Sequence, residues 1–378
     1  MSRTPMINHS ARAALLSDPR TREKRAPACL LHELPLPDLE PDSALLKVEL
    51  SEVCGTDVHL RDGRLAGVPY PIIPGHVSVG SLERIRGRVT DIAGQTLNEG
   101  DRVTFLDVHK TCHSCWYCLV AKASTRCPSR KVYGITYGVA DGLTGGWSQY
   151  IDLKPGTRLI PMDGVDSELY MAGGCSLPTA LHAVERAEVA IGDSVLVLGS
   201  GPVGLSAIAF ATLRGARRVL CIGAPDERLT IARKMGAEET TNFTRLTEPQ
   251  RDEWVRSHTG GHGADVTIEC TGVPAAVTQA MQFTRDAGRV VVVGQYTDHG
   301  LASFNPHTDL NRKHLDIRGC WGSDYSHFHR AVDMLRVPAA ARLWSAIRLK
   351  RYSLSQVNEA LEDVAAARSI KALIDPTV

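Results

Sequence analysis

Cysteine is the most informative reactive residue in this 378-residue chain, which carries ten of them. Cys112, Cys115, Cys118 and Cys127 follow the spacing C-x2-C-x2-C-x8-C. A tight turn brings thiolates two residues apart to one side, and four of them close a tetrahedral zinc site. No coordination position is then left for substrate, so the expected role is structural. Four thiolates can also hold an iron–sulfur cluster, and zinc is the preferred reading. Cys54, His76 and Cys175 are dispersed, and singly each would be read as packing. Together they offer sulfur, nitrogen and sulfur donors with a fourth position open, the pattern of a catalytic zinc. Cys29, Cys221, Cys270 and Cys320 join no pattern and are expected to be small packed residues.

A second kind of chemistry is written at 199–204, where Gly199, Gly201 and Gly204 give G-x-G-x-x-G. The run follows an apolar strand at 194–198 and opens a helix at 202–214, the context a dinucleotide-binding turn requires. Gly199 makes the turn, Gly201 lets a pyrophosphate approach the backbone, and Gly204 permits close packing of helix on strand. The helix N-terminus supplies N–H donors. About twenty residues on, an acid usually binds the ribose 2′-hydroxyl of NAD. Here the second strand ends at Gly223, with Asp226 and Glu227 only later and Arg228 the nearest cation. The expected cofactor is therefore NAD or NADP.

The elements that must carry these residues change rhythm along the chain. Residues 1–10 read as a loose extension. Short β-type runs at 11–16, 44–50, 77–85 and 102–106, separated by Gly and Pro turns, predict a mostly β region. Beyond about 190, strands at 194–198, 218–222, 265–269 and 289–293 alternate with helices at 202–214, 226–235 and 274–285. That alternation predicts a parallel α/β sheet. A helix is expected over 352–367 and an apolar strand over 372–374. Net charge is +1 and charged residues make up 22%, which argues against nucleic acid and membrane surfaces as partners. With no secretory signal evident, a soluble, cytoplasmic protein is expected, and its cysteines should be thiols or metal ligands.

The stretch from 11 to the C-terminus resembles the zinc-containing medium-chain dehydrogenase/reductase family, the alcohol dehydrogenases. The motifs that carry the likeness are CGTDVH at 54–59, GH at 75–76, the cysteine quartet, GGWSQY at 145–150, GSGPVG at 199–204 and RSIKALI at 368–374. The resemblance implies an α/β protein. A GroES-like, mostly β catalytic domain would span 1–177, with a structural-zinc lobe at about 107–130. A Rossmann doubly wound parallel-sheet domain would span 178–322, and 323–378 would return to the first. The resemblance further implies two zinc ions per chain, one held by Cys54, His76 and Cys175, with Asp57 orienting His76. Thr56 and His59 would relay a proton. Thr179 and Val203 would lie against the nicotinamide, Thr271 and Gly272 near the ribose, and Lys371 on the pyrophosphate. The implied reaction is reversible oxidation of a small-molecule alcohol to a ketone or aldehyde. The implied assembly is a homodimer or homotetramer joined through an edge strand near 314–319.

One departure stands out: the family usually carries Glu after the ligand His, and this chain has Val77. Leu106, Asp107, His109 and Gln295 are expected near the substrate, and their polarity suits a polyol or functionalised secondary alcohol. Two rival readings remain at this level, a zinc-free quinone or enoyl reductase on the same scaffold and a non-catalytic relic that binds zinc and dinucleotide.

Overall fold

A computed structural model describes residues 9–378. The loose extension expected over 1–10 lies, up to residue 8, outside the described residues. The chain divides into two compact units, one running to Met171 and resuming at Leu349–Val378, the other spanning Ala172–Arg348.

The first unit is built on a seven-stranded sheet. Its central strand, Ser43–Val53, pairs antiparallel with Ser78–Arg86, Tyr150–Leu153 and Lys371–Asp375. In that strand Leu46, Val48 and Leu50 point inward while Lys47 and Glu49 are exposed, the alternation of a half-buried strand. The alternation stops at Ser51: from there to Cys54 every residue is buried. Trp147, Ile72, Ile73 and Ile374 form part of the core on which this end of the strand packs.

The second unit holds a six-stranded, all-parallel sheet. The spatial order is Glu239–Asn242, Arg218–Gly223, Ser194–Leu198, Ala264–Glu269, Thr284–Val292, Asp316–Gly319. Ser194–Leu198 is buried throughout, as a strand covered on both faces must be. Strand order reverses between it and Ala264–Glu269, and ligands of doubly wound sheets bind beyond the carboxyl ends at such a switch.

Three local expectations differ from the structure. The segment over 352–367 is not one helix. Tyr352 belongs to the strand Leu349–Ser353, paired in parallel with Lys371–Asp375, and the helix is Val357–Ala365. The apolar spacing that suggested a longer helix combines a strand with a helix, and a capping box between Ser353 and Gln356 separates them. The helix from Pro274 ends at Phe283, because Thr284 already pairs with Ala264. The helices Tyr325–Met334 and Pro338–Trp344, expected in the returning segment, belong to the second unit. There Arg330 pairs with Glu185, and the Trp344 indole packs at a tilt against Phe210 and donates to Ser206 Oγ at 3.1 Å. No helix among the described residues is long and apolar enough to cross a membrane.

Candidate functional site

Cys54 closes the Ser43–Val53 strand and caps the helix Gly55–Arg61. Its backbone is extended, and its N–H donates to Asp57 Oδ2 at 2.8 Å. His76 comes just before the neighbouring strand Ser78–Arg86, on a turn that only glycine can make. Gly75 has φ +89, and a Cβ there would lie 2.6 Å from both Ser51 Oγ and Trp147 Cδ1. The 145–147 segment locks this turn through Gly146 N–H to Gly75 O and Trp147 N–H to Pro74 O. His76 Nε2 thereby stands 3.9 Å from Cys54 Sγ, with both residues buried.

The electrostatics of this pair suit a cation. Burial, the largest single influence, would drive the imidazole towards neutrality, but Cys54, Asp57 and Asp107 together outweigh it and raise His76 to about 10. Asp57, fully buried, has its carboxyl pushed well up by burial and then by Cys54. His76 Nδ1 and Asp57 Oδ1 have no hydrogen-bond partner. The orienting bond expected from Asp57 to His76 is therefore absent: one carboxylate oxygen serves the helix cap, and the influence on His76 is Coulombic. Uncompensated polar atoms of this kind are costly in a protein interior, and a metal ion beside the sulfur and imidazole offsets that cost. The donor set fits zinc.

Thr56 and His59 lie one turn apart on the half-exposed face of the same helix, while Asp57 and Leu60 face inward. Cys175, in the second unit, caps the helix Ser176–Arg186, and its carbonyl accepts from Thr179 Oγ1 at 2.9 Å.

The four sulfurs of Cys112, Cys115, Cys118 and Cys127 all lie within 4.8 Å of one another. Cys112 Sγ accepts the N–H of Cys115 at 3.3 Å, and Cys127 Sγ that of Cys112 at 3.3 Å. Hydrogen bonds from Ser114 pull Cys112 down to about 5, while burial and a bond with Cys115 push Cys118 up to about 12. Sulfurs this close cannot all be thiolates without a cation among them. Between 111 and 130 only Cys127 is buried, so no apolar core holds this lobe together. A tetrahedral zinc fits it.

The glycine turn joins Ser194–Leu198 to the helix Pro202–Leu213. Gly199 has φ +107, and a Cβ on Gly204 would sit 2.0 Å from Gly199 O. A Cβ on Gly201 would meet nothing within 4 Å, which leaves the helix N-terminus open to a phosphate. Val203 is the second residue of that helix. At the neighbouring strand end, Gly223 is required by Ser200, whose Oγ would lie 2.5 Å from a Cβ. Asp226 is bound by Asn242 at 2.9 Å and by Arg245, so it offers no unengaged acid to a ribose. Thr271 and Gly272 are shaped by Glu269, a fully buried residue that sequence reasoning missed. Its Oε1 accepts from Thr271 N–H at 2.5 Å, Thr271 Oγ1 at 2.6 Å and Gly272 N–H at 3.2 Å. An acid closing an apolar strand was the available signal.

Residues 202–336 match the family model for zinc-binding dehydrogenases, and 40–164 that for the alcohol dehydrogenase GroES-like domain. The chain is 32% identical to 5-exo-hydroxycamphor dehydrogenase of Pseudomonas putida, over 92% of its own length and 95% of the relative's. It belongs to the zinc-dependent alcohol dehydrogenases. It is also 29% identical to erythritol/L-threitol dehydrogenase of Mycolicibacterium smegmatis, covering 92% of this chain and 94% of that one. An alcohol dehydrogenase from Thermotoga maritima superposes with a TM-score of 0.90 at 30% identity, covering 97% of this chain and all of that one. A zinc-binding dehydrogenase from Sinorhizobium meliloti, solved with NADP, gives 0.81 at 25%, over 98% and 100%. This dehydrogenase therefore works on small-molecule alcohols with zinc and NAD(P).

Two expectations about the dehydrogenase need correction. Lys371, expected on the pyrophosphate, is instead 1% exposed and ion-paired with Glu52, itself 1% exposed. It sits inside a sheet, where its ammonium needs a partner charge. His109 does not point an unengaged ring at substrate either. Its Nδ1 meets Tyr137 OH at 2.5 Å and its Nε2 meets the Pro155 carbonyl at 3.0 Å, and burial holds it below the usual histidine range. Leu106 is buried, Asp107 lies close enough to act on His76, and Gln295 Nε2 is buried without a partner. Of the four remaining cysteines, Cys29, Cys221 and Cys320 are buried and Cys270 is half-buried.

Proposed function

We propose that this dehydrogenase oxidises a secondary alcohol of the cyclic or polyol class and reduces the matching ketone. The observation that carries the reading is the buried Cys54–His76 pair set at the head of a helix whose outer face bears Thr56 and His59. Cys175 is taken as the third ligand of a catalytic zinc on the family resemblance alone, and Cys112, Cys115, Cys118 and Cys127 hold a second, structural one. When bound, zinc supplies a Lewis acid for the substrate oxygen, and the nicotinamide supplies the hydride acceptor. The chain's own residues do the rest. Thr56 Oγ1 takes the hydroxyl proton and passes it towards His59, whose imidazole delivers it to water. Asp57 fixes Cys54 through its main-chain N–H. The Gly199–Gly204 turn holds the pyrophosphate, Thr179 and Val203 bound the nicotinamide, and Glu269 keeps the 271–272 turn in place beside the ribose. The relatives named for hydroxycamphor and for erythritol and threitol support a secondary alcohol.

Initial rates over cyclic secondary alcohols, polyols and primary alcohols, with NAD and with NADP, test the proposal. Secondary alcohols should exceed primary ones of equal size, and Cys54→Ser should lower kcat/KM by about a thousandfold, the several kcal/mol of a Lewis acid. Preference for primary alcohols, or an active Cys54→Ser enzyme, would count against it. The assembly proposed is a homodimer or homotetramer. Among the described residues, Asp316–Gly319 is paired on one edge only and leaves the other for a second copy. Sedimentation of a monomer at micromolar concentration would refute this.

A further inference from the structure

The Glu52–Lys371 ion pair is enclosed on every side, and the chemistry proposed above makes no use of it. Removing two charges from water is expensive, and a buried pair is better evidence for a defined geometry than for stability. Its position is specific. Glu52 lies two residues before Cys54 on the same strand. Its N–H donates to the carbonyl of Val77, the residue after His76, at 3.0 Å. Its own carbonyl accepts the Trp147 indole N–H at 3.1 Å. The register sets Leu373 opposite Glu52 and Ala372 opposite Val53, so Lys371 heads the C-terminal strand at the end of the pairing next to Cys54. One residue thus ties together the strand before the first ligand, the residue after the second, and the C-terminal strand. The side chain at 77 is apolar and buried.

We infer that Glu52, held by Lys371, is a positioning residue of the metal site: it fixes Cys54 and His76 relative to each other by pinning this end of the Ser43–Val53 strand between the turn after His76 and the C-terminal strand. The inference rests on the catalytic-zinc reading. Partners that orient metal ligands from behind govern metal retention as well as turnover, so metal release is the decisive readout.

The experiment uses the intact zinc enzyme and its cobalt-substituted form, with Cys54→Ser identifying which phase of chelator-driven metal loss belongs to this site. Glu52→Gln should release that metal at least about tenfold faster, the lower end of the range for such partners, and should shift the cobalt d–d bands. If Glu52→Gln does not fold, Glu52→Gln with Lys371→Met removes both charges at similar volume and is measured instead. A folded variant that keeps wild-type release and cobalt spectrum, or loses only melting temperature, overturns the positioning role and leaves the zinc reading intact. A wild-type enzyme with no Cys54-dependent metal phase would remove both.

Discussion

His59 is the residue whose role is most open to a kinetic test. If it accepts the proton relayed from Thr56, the enzyme without it must hand that proton directly to solvent base. Hydroxide becomes more abundant as pH rises, so His59→Gln should lose most rate at low pH and little at high pH. A tenfold deficit at low pH corresponds to about 1.4 kcal/mol of barrier. A deficit independent of pH would mean that His59 only packs the helix face. Lys371 makes a different prediction at the same scale. Truncating it to Ala removes one member of a buried ion pair, which should destabilise the protein by about 3–5 kcal/mol by denaturant melts; a smaller loss would mean that water reaches the pair. Glu52 was partly legible in the sequence, since it continues the inward face of Leu46, Val48 and Leu50. Its partner was not, because a lysine heading an apolar run looks like a strand's solvated end until the pairing of that strand with Ser43–Val53 buries it against Glu52.

At the scale of elements, one turn and one cap carry defined loads. Gly204 cannot accept a Cβ without moving the Gly199 carbonyl, only 2.0 Å from where it would stand. Gly204→Ala should therefore weaken coenzyme binding at least about tenfold, or 1.4 kcal/mol, measured by nucleotide fluorescence; unaltered binding would show that the turn relaxes freely. Asp324 caps the helix Tyr325–Met334, accepting from the His327 N–H at 3.2 Å. The hydrogen bond with the His327 ring outweighs burial and holds Asp324 down to about 2. A depressed carboxylate contributes stability that is fully present above its ordinary value near 3.8 and is lost as pH falls through about 2. Asp324→Ala should cost about 1 kcal/mol at neutral pH, as lost caps do, and should make that part of the acid melt disappear. An identical acid profile in the variant would exclude the cap as its source. The half-exposed carboxylate limits the effect to this modest size.

Across the whole molecule, what could be read from sequence was whatever lies close together in it. The cysteine quartet spans 112–127 and the glycine turn 199–204, and both keep their geometry in the structure because local backbone alone builds them. Positions joined by long-range packing were less legible. The chain re-enters the first unit at Leu349 rather than at 323, because the helices over 325–344 find their apolar partners on Ser176–Arg186 and Pro202–Leu213. No pattern within those helices announces that choice. The division has a consequence that can be measured. Every residue of the dinucleotide turn, with Glu269 and Thr271, lies in the second unit, whereas the cysteine quartet, Cys54 and His76 lie in the first. Mild chelation should therefore abolish turnover and open the 111–130 lobe, which has no core of its own, to proteolysis. NAD(P)H binding should persist with less than about a tenfold change in Kd, within 1.4 kcal/mol. Far-ultraviolet circular dichroism would report an intact sheet, and fluorescence titration of the chelated protein decides the matter. Loss of coenzyme binding together with the metal would mean that the two units fold as one cooperative body and that zinc stabilises both.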